Sequence, residues 1–153
     1  MIWSCSWARG FGPLVFVDGS VDQHAYVDIL SKKFLPWFQK LSEDEDTNFI
    51  FQKDGAICHT SSYTISWKNA NSIRRFDYWP AQSPGLNPIE HLWSCLEHHI
   101  RHKRASLTNV DELKVALEEA WGEIHVDLAA RLVGSMNGRC QAVIDAKGEP
   151  TKY

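Results

Sequence analysis

The sequence lacks the cysteine pattern of a stapled or zinc-bearing protein. Its four cysteines, Cys5, Cys58, Cys95 and Cys140, form no CxxC pair and keep no regular spacing. Neither a disulfide framework nor a zinc ribbon is suggested, and a reducing compartment is the simpler setting. There is also no apolar run near the roughly 20 residues that span a bilayer, and no basic-then-apolar opening. The expectation is a soluble chain with no membrane partner. An excess of positive charge is missing too: the formal net charge is -3. That argues against gripping nucleic acid with the whole surface, because phosphate binding needs many Lys and Arg, and it leaves a local basic face open. Nor is there an internal repeat, a low-complexity segment or a linker that would split the 153 residues. What is present is aromatic: 12% of the chain, with seven Trp, in a composition 44% apolar and 23% charged. A chain of this length and content buries roughly two thirds of its unfolded surface, so one domain with a real core is expected.

The elements follow from periodicity. MIWSCSWARGFGPLVFVDG reads as two short strands joined through the turn Gly10 to Pro13, an antiparallel hairpin. The period then changes. With Ser20 or Asp22 as N-cap, Tyr26, Ile29, Leu30, Phe34 and Trp37 recur at helical spacing, and the helix is expected to yield near Pro36. SEDEDT is an acidic loop, and Asn48 to Asp54 reads as a buried strand that ends on a carboxylate. A short helix through Tyr63 to Asn69 and a strand at Arg75 to Trp79 come next. Beyond the proline-rich turn, Asn87 is a natural N-cap and Pro88 a natural first helical residue for a helix with the apolar stripe Ile89, Leu92, Trp93, Leu96 and Ile100. A further helix opens at Thr108 or Asn109 and carries Val110, Leu113, Leu117, Ala120, Trp121 and Ile124 on one side. A last helix covers Asp127 to about Ala142, and the polar tail DAKGEPTKY frays. Strands and helices in this order make an α/β class, a mixed sheet with helices packed on it.

Two acids stand out in that order. Asp54 ends a strand and Glu90 opens a helix shortly after another, and ligands of open α/β sheets collect at the carboxyl ends of strands. Paired carboxylates without a nucleophile suit hard divalent ions, which take oxygen ligands and do phosphoryl chemistry with two ions roughly 3.5 to 4 Å apart. Three acids usually build such a site, and only two are placed. Other readings stay open. Asn87-Pro88-Ile89-Glu90 is also a capping-box pattern, with Glu90 reaching back to the Asn87 backbone and sitting at the positive end of the helix dipole. Asp54 before Gly55 also suits a plain turn. An Asp and Glu pair flanking a bond is the signature of a glycosidase as well. His98, His99 and His102 beside Cys95 are metal-ligand types, but they lie around a charged helix and read as solvated surface. His59 is a ligand, a base or an organiser of the turn after Asp54. The run HHIRHKR, with Arg101, Lys103 and Arg104, is either a phosphate contact or a solvated helix end.

FQKDGAICHT and WPAQSPGLNPIEHLW resemble the second and third catalytic blocks of Tc1/mariner transposases, whose DDE domain has the ribonuclease H-like fold. The opening MIWSCSWARGFGPLVFVDGSVD resembles that domain's second and third strands, and CQAVIDAKGEPTKY its C-terminal end, so the likeness runs the length of the chain. It implies a partial DDE catalytic domain over residues 1–145 with a polar tail at 146–153, truncated at the N-terminus and lacking the strand with the first catalytic Asp. By the same resemblance Asp54 matches the second catalytic Asp and Glu90 the final acid, both as metal ligands, with 35 residues between them. The cofactor implied is Mg²⁺ or Mn²⁺, held weakly. The implied partners are DNA, as transposon ends and target, and a full-length transposase or a second copy; the implied location is the nucleus. His59, Arg101, Lys103 and Arg104 are the candidates for nucleic-acid contact. Gly85 stands where the family usually has Asp, Gly55 where it often has Asn, and Ile57 where Pro is common; none of these removes a metal ligand. On this reading the chain alone lacks strand-transfer activity. The rival readings are a non-catalytic DNA-binding or interaction remnant and an unrelated two-carboxylate hydrolase.

Overall fold

The computed structural model describes residues 1–81, 83–149 and 151–153; Gln82 of the proline-rich block and Pro150 of the tail lie outside the described residues. The chain forms two compact units, one of Met1–Trp3 with Val15–Ser83 and the other of Ser4–Leu14 with Pro84–Tyr153. Among the described residues four two-residue strands open the chain: β1 Ile2–Trp3, β2 Ser6–Trp7, β3 Gly10–Phe11 and β4 Val15–Phe16. The expected hairpin is present, because β1 pairs antiparallel with β4 and β2 antiparallel with β3. Its turn is Ala8-Arg9, not Gly10 to Pro13. Gly10 lies opposite Trp7, where an added Cβ would sit 3.0 Å from the indole nitrogen, so this glycine serves a close strand contact and not the turn.

In the first unit, Asp22 caps α1 (Gln23–Ile29) by accepting the backbone N–H groups of His24 and Ala25. Pro36 does not end the helix as expected. A wide turn at Leu30–Phe34, with i to i+5 bonding, precedes it, and the chain continues as α2 (Leu35–Asp44). Proline has no N–H for the preceding turn, and the widened stretch just before it absorbs that missing bond. The acidic loop is correspondingly shorter. Ser42 to Asp44 belong to α2, whose last turn holds a Lys40–Asp44 ion pair at 2.9 Å.

The strands expected over Asn48 to Asp54 and Arg75 to Trp79 reduce to one parallel bridge, Phe51 opposite Arg75, in which the Phe51 N–H reaches the Arg74 carbonyl at 2.8 Å. Side-chain burial explains the apolar pattern without a ladder. Phe51 packs on Phe34 with ring centroids 4.5 Å apart, while its neighbour Ile50 is exposed. Two short helices complete the unit, α3 (Ile57–Thr60) and α4 (Ser62–Ala70). Ser61 caps α4, and the Thr64 hydroxyl donates to the Cys58 carbonyl at 2.7 Å, which ties α4 to α3.

The second unit contains a 3-10 turn at Pro84–Leu86 and then α5 (Pro88–Lys103), which buries Leu92, Leu96 and Ile100 as its stripe requires. The helix α6 (Val110–Glu123) starts after Asn109, as expected, but its buried residues are Ala116, Ala120 and Trp121, and Val110 is exposed. Trp121 stacks on Trp93 with centroids 5.5 Å apart and meets Phe11 edge-on at 5.2 Å, an aromatic cluster that anchors α5, α6 and β3. The single helix expected over Asp127 to Ala142 is two, α7 (Val126–Gly134) and α8 (Met136–Asp145). They break at Ser135, whose hydroxyl donates to the Leu132 carbonyl at 2.7 Å and also accepts the Arg139 Nε–H at 2.8 Å. Such local side-chain bonds compete with a continuous helix.

The start of α6 yields a direct test. The Asn109 side-chain oxygen accepts the Glu112 N–H at 2.9 Å, while the Glu112 carboxylate accepts from the Thr108 N–H at 2.7 Å. Replacing Asn109 by Ala is expected to lower stability by about 1 kcal/mol, read as a shifted urea midpoint with unchanged slope.

Candidate functional site

Asp54 sits just before α3, where the chain turns out of the Phe51 bridge. One carboxylate oxygen, Oδ1, accepts the Ala56 backbone N–H at 3.0 Å and lies 2.6 Å from the His59 Nδ1. The other, Oδ2, has no hydrogen bond among the described residues, and the side chain is about half exposed, at 49%. Burial pushes the Asp54 carboxyl upward, but the Ala56 N–H and the His59 ring outweigh it, and the group is held below the ordinary carboxylate range. Burial likewise pushes His59 down, against the pull of Asp54, and the net shift is downward. A neutral imidazole beside a carboxylate that only accepts carries its proton on Nδ1, so His59 donates to Asp54.

The shell behind His59 is built from α1 and α4. The Tyr26 ring, fully buried, lies 4.2 Å from the His59 ring centroid to centroid. Lys68 has no exposed surface; its Nζ approaches the His59 carbonyl at 3.4 Å and lies over the rings of Tyr26 and Phe51, 5.4 and 5.3 Å from their centroids. Sequence reasoning missed this support. Tyr26 reads only as one member of a helical stripe, and a lysine in SWKNA gives no sign of burial.

Glu90 lies in the second unit, in the first turn of α5. The capping-box reading fails in its geometry. The Asn87 N–H donates to the Pro84 carbonyl at 2.9 Å, and the Glu90 carboxylate accepts from the Asn87 side-chain amide at 3.1 Å through Oε1. Pro84–Leu86 satisfies the donor that the box would have used, which leaves Glu90 exposed with Oε2 unengaged among the described residues. Arg101, Lys103 and Arg104 cluster where α5 ends, all exposed. Arg101 lies 4.0 Å from Glu97, and Lys103 donates to Glu119 at 3.2 Å. The structure therefore brings His59 to Asp54, and it groups the three basic residues on a different element.

Gly85, the departure from the family pattern, also has a local cause. A Cβ there would stand 2.9 Å from the Tyr153 carbonyl oxygen, and the Gly85 carbonyl accepts from the buried Arg139 at 2.7 Å. An aspartate cannot be added without displacing the tail.

The donor chemistry fits a hard divalent ion: each of Asp54 and Glu90 offers a carboxylate with one oxygen unengaged. Among the described residues no group of three or more His, Cys, Asp or Glu side chains is placed to hold a metal ion, the His98, His99, His102 and Cys95 set included. No helix of the described residues is long and apolar enough to cross a membrane.

The fold is that of a transposase catalytic domain, ribonuclease H-like. It matches the solved Mos1 transposase catalytic domain with raltegravir and Mn at a TM-score of 0.84, over 99% of this chain and 82% of that one, with 15% sequence identity. Residues 23–114 match the DDE superfamily endonuclease family, and the chain belongs to it. Over 153 residues it is 39% identical to the transposable element Tcb1 transposase of Caenorhabditis briggsae and 40% identical to the Tc1 transposase of Caenorhabditis elegans. Each alignment takes in all of this chain and 54% of the relative, so the chain spans about half the length of these curated relatives.

Proposed function

We propose that this chain supplies two metal-binding carboxylates, Asp54 and Glu90, to a Tc1-type transposase that cuts DNA at transposon ends and joins them to target DNA. The observation that carries the reading is the state of Asp54: ionised, fixed through Oδ1 by Ala56 and His59, and open at Oδ2. Bound Mg²⁺ or Mn²⁺ would activate an attacking water or hydroxyl and stabilise the leaving oxygen of an in-line displacement. Asp54 and Glu90 would each offer a carboxylate oxygen to such an ion. His59, whose ring already engages Asp54, positions that carboxylate and does not reach for DNA. Arg101, Lys103 and Arg104, all exposed, meet backbone phosphates; the ion pairs of Arg101 to Glu97 and of Lys103 to Glu119 are exposed and cost little to break. Beside DNA, the partner on this reading is a second copy of the chain or a full-length relative. It also places the chain in the nucleus, with its DNA.

The test is Mn²⁺ binding by the full chain, followed by electron paramagnetic resonance. Binding is expected to be weak, with a dissociation constant on the order of 10⁻⁴ to 10⁻³ M, the weak end of the range that oxygen-ligand cation sites span. Glu90→Gln is expected to weaken it at least tenfold. Tight binding untouched by that change would overturn the assignment. Absence of any binding, at concentrations where a longer relative binds, would favour a remnant that keeps the scaffold and does no chemistry.

A further inference from the structure

Beside Asp54, in the first unit, the Phe51 and Arg75 segments enclose a cleft of about 180 Å³. Its floor and walls carry Phe76, Tyr78 and Trp79 with Lys53, Arg75 and Asp77. Two of the aromatics face solvent to a degree that a folded core does not require: Tyr78 is 79% exposed and Phe76 48%. The Phe76 and Trp79 rings lie 5.3 Å apart at 40°, so the wall they form is in place without an occupant. Lys53 makes no hydrogen bond or ion pair among the described residues, whereas Arg75 is steadied by the Asn69 side chain at 2.7 Å. The volume is below the roughly 300 to 1,000 Å³ of an ordinary small-molecule pocket. It suits one planar ring rather than a whole cofactor.

We infer that this cleft takes one unpaired base of a DNA strand, stacked on Tyr78 and Phe76, with Lys53 and Arg75 on the adjoining phosphate. Exposed aromatic faces interleaved with cations are what single-stranded nucleic acid needs, because every base offers a π-face and every linkage a negative charge. A base paired inside a duplex is stacked on both sides and has no face to give. Asp77 repels a bare phosphate and accepts an N–H from a base edge, as carboxylates do with the exocyclic amine of cytosine. The cleft is flanked by Lys53 and Gly55, the neighbours of Asp54 in sequence, so a strand seated there has its backbone beside that carboxylate. The inference rests on the reading that this chain handles DNA, and it adds that the strand beside Asp54 is locally unpaired.

The experiment compares two DNA duplexes with the full chain. In one, an internal 2-aminopurine is unpaired, opposite an abasic site; in the other it is paired opposite thymine. The unpaired probe is expected to bind at least about fivefold more tightly, the low end for one base on an aromatic ring, and its fluorescence to be quenched on binding. Tyr78→Ala and Phe76→Ala should each reduce that preference and the quenching with the paired duplex bound as before, and Tyr78→Ala should leave the thermal midpoint unchanged, since that ring is 79% exposed. Equal affinity for the two probes, or a preference that survives both substitutions, overturns the cleft and leaves the DNA reading standing. Failure to bind either duplex overturns both.

Discussion

Replacing Asp54 by Asn is expected to lower metal-dependent DNA strand cleavage about a thousandfold or more in a transposase that carries this domain. The change keeps the shape and removes the charge. A metal at a phosphoryl centre supplies several kcal/mol of charge stabilisation, and each 1.4 kcal/mol is a factor of ten in rate. The same variant should lose Mn²⁺ binding in the isolated chain, which separates a metal ligand from a residue that only shapes the fold. His59→Ala is the informative companion. It leaves Asp54 charged but unfixed, with Oδ1 holding only the Ala56 N–H, and a 10- to 100-fold loss of metal affinity is the usual cost of removing such an outer partner. His59→Asn places an amide N–H close to where Nδ1 stood, so it should recover most of that loss. Full cleavage by Asp54→Asn, or equal damage from His59→Ala and His59→Asn, would show that the carboxylate is not held for a metal.

How far the site was readable before folding depends on the kind of signal. The helix starts were legible because capping is local: Asp22 and Asn109 declare themselves through short polar side chains beside an apolar period, and both cap where expected. The third block was legible as a motif, although its immediate reading as a capping box was wrong, since only geometry shows that the Asn87 N–H is taken by Pro84. The strands at Asn48 and Arg75 were over-read. A run such as NFIFQ has strand composition, yet parallel pairing is a property of two distant segments, and here it amounts to one rung. Pro36 misled for a related reason. A proline ends a regular helix, and the sequence does not display the wide turn that lets it stay. The link from His59 to Asp54 was half visible as two residues five apart. The Tyr26 ring and Lys68 stem behind it were not, because burial of a lysine is decided by packing from α1 and α4 together.

Lys68 carries the second large effect. It is fully buried in the first unit, with the His59 carbonyl and two aromatic faces for company. Burial lowers its ammonium from the ordinary 10.5 to about 8, and Lys53 and Arg75 add repulsion that Cys58 opposes. The folded chain therefore releases a proton that the unfolded chain keeps. Below about pH 8 the lysine is charged in both states, and the cost of burying that charge is fully present. Between about 8 and 10.5 only the unfolded chain is protonated, so stability rises with pH, by about 3 kcal/mol across the window. Lys68→Met keeps the length and removes the charge. It is expected to stabilise the protein by about 1 to 3 kcal/mol at pH 7 and to flatten the rise that the unaltered chain shows between pH 8 and 10.5, because apolar replacement of a buried charge often gains by that amount. Urea unfolding of both proteins at pH 7, 8, 9 and 10 measures this as a difference, in which titrations common to the two cancel. If Lys68→Met is instead less stable at pH 7, the faces of Tyr26 and Phe51 bind the ammonium more strongly than its desolvation costs. Lys68 would then be a structural cation that clamps α4 against α1, and the shell behind His59 would loosen as pH rises rather than tighten.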